Sequence, residues 1–112
     1  MNNENPPKFV VIYRWILKAG MEDQFVESWS QITVLFRDRG SLGSRLHRAS
    51  DDLWYGYAQW PTAADRQRAF AMPLESPWIA RMHAAISETL PEIILEPVSD
   101  YLVLPKLRDE RK

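Results

Sequence analysis

No cysteine occurs among the 112 residues. Disulfides, thiolate metal sites and cysteine nucleophiles are therefore excluded together. Neither sign of charge predominates: 14 Lys and Arg stand against 15 Asp and Glu, for a net charge of -1. A nucleic-acid partner would demand a basic stripe, and the sequence has none outside its C-terminal LRDERK. No apolar run approaches the ~18 residues of a membrane span. The opening MNNENPPK lacks the apolar stretch of a secretory leader. The expectation is a cytoplasmic protein that binds neither nucleic acid nor membrane. P-loop, GxGxxG, GxSxG and HExxH patterns are also missing, so phosphate-cradling, dinucleotide, serine-hydrolase and zinc-peptidase readings lose their usual support. The two histidines, His47 and His83, lie on separate predicted elements without ligand spacing, and no metal site is expected.

Aromatic residues are plentiful instead, with five Trp, four Tyr and four Phe. Tryptophan is favoured in pockets and interfaces, so this surplus implies a cavity, a subunit contact, or both. The length favours one domain, large enough to bury about two thirds of its unfolded surface. Residues 1–7, polar and ending in Pro6-Pro7, are expected to be disordered, with a domain over 8–104 and a charged tail over 105–112.

Phe9–Leu17 (FVVIYRWIL) is rich in β-branched and aromatic residues and reads as a strand. Phe9, Val11, Tyr13, Trp15 and Leu17 share one face; Val10, Ile12, Arg14 and Ile16 share the other. Both faces are largely apolar, so both need covering. Gly20 makes a turn, and a helix is expected from about Met21 to Arg39, with Phe25, Trp29, Ile32 and Phe36 as its core stripe. Gly40 suits the C′ position. Ser44–Ser50 and Leu53–Trp60 read as a hairpin around Ser50-Asp51-Asp52. On its second strand Trp54, Gly56, Ala58 and Trp60 share a face. Small residues between two tryptophans imply either a ligand cavity above the sheet or the close approach of a helix. Thr62 with Asp65 is a capping-box pattern for a short helix ending before Pro73. Ser76-Pro77 opens another, expected to run to about Leu90 with Ile79, Met82, Ile86 and Leu90 as its stripe. A final strand is expected near Val98–Leu104.

The order β-α-β-β-α-α-β is a ferredoxin-like α+β plan with its second helix broken in two and an antiparallel sheet. Right-handed crossovers place the helices on one sheet face. The bare face would carry Ile12, Arg14, Tyr55 and Tyr57, which argues for a homodimer with two sheets face to face. Arg14 would then need a carboxylate or carbonyl partner. Arg66, Arg68 and Asp65 read as a solvated helix face, and Arg81 as solvated.

The strand VVIYRWILKAG running straight into a helix, the strand end YAQW and the helix TAADRQRAF together resemble the antibiotic-biosynthesis-monooxygenase-like group of dimeric α+β barrel proteins. The resemblance spans about residues 8–104 and rests on element order and these landmarks. It implies a cofactor-independent monooxygenase that oxidises a small aromatic or polyphenolic substrate with O2. The heme-degrading branch of the group is an alternative. Its pattern has an Asn on the first strand, a Trp ending the third and a His on a following helix. Trp60 matches the tryptophan, Tyr13 stands at the Asn position, and the aromatic-to-His spacing is met from Ile79 to His83 but not from Trp78. A non-catalytic dimer that binds a small ligand is a further alternative.

Cofactor-free oxygenation needs a base, a hydrogen-bonding partner for the substrate oxyanion and a dry pocket. His83 is the candidate base: it lies about 40° from Ile79 on the helical wheel, at ~100° per residue, and imidazole changes charge near neutral pH. Tyr13 is the candidate hydrogen-bond partner, though a plain core tyrosine reads the same way. Trp60, Trp54 and Trp78, around Gly56 and Ala58, are the candidate walls for a flat apolar ligand.

Overall fold

A computed structural model describes residues 9–103. The β-branched and aromatic run Phe9–Leu17 forms strand β1, and Glu22–Arg37 forms helix α1. Strands β2 (Gly43–Arg48) and β3 (Trp54–Trp60) make the hairpin, followed by helices α2 (Ala63–Ala71) and α3 (Pro77–Ala84) and strand β4 (Ile86–Leu95). The four strands form one antiparallel sheet in the order β2-β3-β1-β4. The element order is the expected β-α-β-β-α-α-β.

Local signals end α1 and begin α2 and α3 where the sequence places them. Beyond α1, Gly40 adopts a φ of 110°, which glycine reaches without steric cost. The amides of Gly40 and Ser41 donate to the carbonyls of Arg37 and Phe36, closing the last turn of the helix. Thr62 Oγ1 accepts from the Asp65 amide at 3.1 Å to start α2. Ser76 Oγ accepts from the Trp78 amide at 3.2 Å, with Pro77 in the first turn of α3. Arg39 donates to the carbonyls of Ala69, Met72 and Pro73, tying the end of α2 to α1.

Two expectations near the C-terminus are corrected. Helix α3 stops at Ala84, not near Leu90, and the last strand is Ile86–Leu95 rather than Val98–Leu104. Ile86 and Leu90 thus belong to β4. Residues 98–103 have no regular structure, and Val98 is 92% exposed; Leu104 lies outside the described residues, as do the termini 1–7 and 105–112. The physical reason is β1, whose second edge needs a partner, and ISETLPEIIL supplies one. Pro91 is tolerated because β4 is an edge strand and carries a bulge there. Ile12 pairs with Ile93 and Arg14 with Leu90, so Tyr13 alone faces Pro91 and Glu92. Arg14, on the face away from the helices, meets the expectation of a carbonyl partner: its Nε and Nη2 donate to the Pro91 carbonyl at 3.3 and 2.8 Å.

The core lies between the sheet and the helices and divides in two. Val11, Trp60 and Ala69 form one cluster, with Phe9, Tyr13 and Phe36 against it. Trp15, Phe25 and Ala85 form the other, with Trp29, Trp54, Met82 and Ile86 among its neighbours. The opposite sheet face carries Ile12, Arg14, Tyr55 and Tyr57 in adjacent register positions.

Candidate functional site

The two core clusters do not close on each other. Between them lies a cavity of about 250 Å³, walled by residues from both. Its floor is the sheet, at Gly56 and Ala58 of β3 and Tyr13 and Trp15 of β1. Trp29, Ile32 and Phe36 of α1 form one wall, Trp60 and Phe70 one end, and Met82, His83 and Ile86 the other side. The alternatives at Gly56 are thus both realised. A Cβ on Gly56 would sit 2.9 Å from the Trp15 ring and 3.6 Å from Trp29 Nε1. Only glycine lets the Trp15 ring come so near, and Ala58 keeps the floor low beyond it.

Five of the candidate residues, Tyr13, His83, Trp60, Gly56 and Ala58, come together around this volume. Trp54 and Trp78 do not. Trp54 packs edge-on against Phe25 beyond Trp15 and is covered by Arg48. Trp78 lies on α3 with the Arg81 guanidinium over its ring, 5.5 Å from the centroid. His83 is an exposed residue of the last turn of α3, on the cavity rim, and its imidazole makes no hydrogen bond among the described residues. That leaves the ring nitrogens open to a ligand or to solvent. Trp60 is 2% exposed and packs edge-to-face with Phe36 and Phe70. Its Nε1 is buried, with no partner among the described residues, so the ring and not the N–H meets the cavity.

Arg66 was expected in solvent, and the structure corrects this. Its side chain is 20% exposed and lies over the rings of Phe70 and Tyr13, at 4.9 and 5.7 Å from their centroids. It donates to Tyr13 Oη at 3.1 Å and pairs with Glu92 at 2.8 Å. A signal for this exists in the sequence: Ala69 and Phe70, three and four residues on, share its helix face. Arg68, by contrast, pairs with Asp65 at the surface. Burial raises the pKa of Tyr13 above its usual 10.0, outweighing the lowering pull of Arg66, so its phenol stays protonated at neutral pH. Among the described residues, no cluster of three His, Asp or Glu could hold a metal, and no helix is long and apolar enough to cross a membrane.

Solved structures share this architecture. SnoaB, a cofactor-independent oxygenase from Streptomyces nogalater, is similar with a TM-score of 0.70 at 16% identity, over 85% of this chain and 97% of that one. An antibiotic biosynthesis monooxygenase matches with a TM-score of 0.66 at 14% identity, over 81% of this chain and 99% of its own. The fold is that of the antibiotic biosynthesis monooxygenases. Rv0793 from Mycobacterium tuberculosis shares it as well, with a TM-score of 0.67 at 11% identity, over 84% and 98% of the two chains. No family model and no curated protein sequence matches the chain.

Proposed function

We propose that this protein is a homodimeric, cofactor-independent monooxygenase acting on a small planar phenol or enol. The observation that carries the reading is the cavity: an apolar, aromatic-walled space with one imidazole on its rim and one phenol on its floor, in a fold shared with an oxygenase. Its volume of about 250 Å³ lies just under the usual ~300–1,000 Å³ of ligand pockets, which favours a one- or two-ring substrate over a porphyrin.

In this reading the substrate lies flat between Trp60 and Trp29. His83 takes the phenolic or enolic proton. The resulting carbanion-like anion passes one electron to O2, the radical pair combines to a peroxide at a carbon that still bears hydrogen, and His83 returns its proton to make the hydroperoxide. Loss of water leaves one oxygen atom as a new carbonyl and the other in that water. Tyr13 hydrogen-bonds the substrate oxygen, and the apolar walls keep the anion from being reprotonated by solvent. The bare sheet face, with Ile12, Tyr55 and Tyr57 beside Ile93 and Leu95, would close against that of a second copy.

His83→Ala is expected to lower oxygen uptake with an accepted diphenol by about 10²–10⁴-fold while leaving substrate affinity within a factor of a few. Full activity in that variant would remove His83 from the mechanism. Light scattering that read the mass of a single subunit would contradict the dimer.

A further inference from the structure

A phenol has one proton to donate and two lone pairs, whereas a guanidinium can only donate. The 3.1 Å contact between Arg66 Nη2 and Tyr13 Oη therefore runs one way, from arginine to tyrosine. Tyr13 has spent an acceptor site and kept its proton, for which the described residues offer no acceptor. Arg66 cannot easily swing away, because Glu92 holds it at 2.8 Å and the Phe70 ring lies beneath it. Glu92 reaches Arg66 from the β4 bulge opposite Tyr13, and Arg14 secures that bulge from the other sheet face through the Pro91 carbonyl.

We infer that Tyr13 is a fixed hydrogen-bond donor to whatever occupies the cavity, that Arg66 is its positioning residue, and that the ligand places an acceptor oxygen, a carbonyl or oxyanion, against it. The inference rests on the cavity being the substrate site and deepens that reading by naming the ligand atom at this end. An oxygen that accepts from a cation makes a stronger donor of its own O–H. Burial keeps the group neutral, which fits it for donation and not for the base role. Tyr13 thereby supplies a fixed polar contact on the floor of a largely aromatic-walled volume.

Two probes test this: 1,4-naphthoquinone, which carries acceptor oxygens, and naphthalene, which does not. Tyr13→Phe is expected to weaken quinone binding about tenfold and leave naphthalene binding unchanged. The carbonyl stretch of the bound quinone should lie at lower frequency in the wild type and return toward its free position in Tyr13→Phe. Arg66→Met should weaken the quinone several-fold, shift that band part of the way back and leave naphthalene alone. Glu92→Gln, at an exposed position where folding is not at stake, should act in the same direction more weakly. Equal losses for both probes, or a carbonyl band that Tyr13→Phe does not move, would overturn the inference while leaving the cavity as the ligand site. Failure of the wild type to bind either probe would bring down the cavity reading and this one with it.

Discussion

Trp60→Ala is expected to bring the protein close to unfolding, while Trp60→Phe costs little. The indole is enclosed by Val11, Ala69, Phe36 and Phe70 at one end of the core. Truncating a buried aromatic to alanine costs about 3–5 kcal/mol, against a total stability of about 5–15 kcal/mol for a domain. Phenylalanine keeps most of the edge-to-face packing. It also removes an N–H that is buried without a partner among the described residues; an unmet donor costs about 1–3 kcal/mol. That relief offsets the lost area, so Trp60→Phe should lie within about 1 kcal/mol of the wild type in urea unfolding. A loss for Trp60→Phe as large as for Trp60→Ala would show that the N–H has a stabilising partner. Because the ring and not the N–H meets the cavity, Trp60→Phe should also retain a stacked ligand.

The second large effect belongs to Gly56. A branched side chain there has no room: its Cβ would stand 2.9 and 3.1 Å from two atoms of the Trp15 ring. Trp15 cannot retreat, being wedged edge-on against Phe25 at 5.0 Å and stacked beside Tyr13 at 5.9 Å. Overpacking of this kind costs about 1–3 kcal/mol, and each kcal/mol lowers the melting temperature by roughly 4–8 °C at this size. Gly56→Val should therefore melt well below the wild type. It should also lose affinity for planar ligands, because the floor of the cavity rises. A variant as stable and as well able to bind as the wild type would show that Trp15 yields easily and that the glycine is not what keeps the cavity open.

Elements fixed by local chemistry were legible in the sequence. Strand β1 follows from its β-branched and aromatic run, α1 from its apolar stripe and Gly40, and α2 and α3 from Thr62 and Ser76 as caps. The boundary between α3 and β4 was not legible. Ile86 and Leu90 continue the stripe of Ile79 and Met82 at helical spacing, and Pro91 reads as a helix stop. What converts the segment to a strand is the open edge of β1, which lies far away in sequence. The same limit applies to the site. Trp54 and Trp60 share a strand face in the sequence pattern, but a face has two ends. Phe25 takes Trp54 into the cluster away from Trp60. Arg66 looked like a solvated charge because its partners, Tyr13 and Glu92, come from the two strands that only the folded sheet sets beside each other.

The most direct test of cofactor-independent oxygenation is oxygen consumption by protein prepared free of heme and treated with a metal chelator, using 1,8-dihydroxynaphthalene as a two-ring diphenol. The expected result is saturable uptake above the uncatalysed rate, with one atom of labelled O2 recovered in the product and the other in water. Uptake that appears only on adding ferric heme or a metal ion, or binding of the diphenol with no uptake at all, would contradict it.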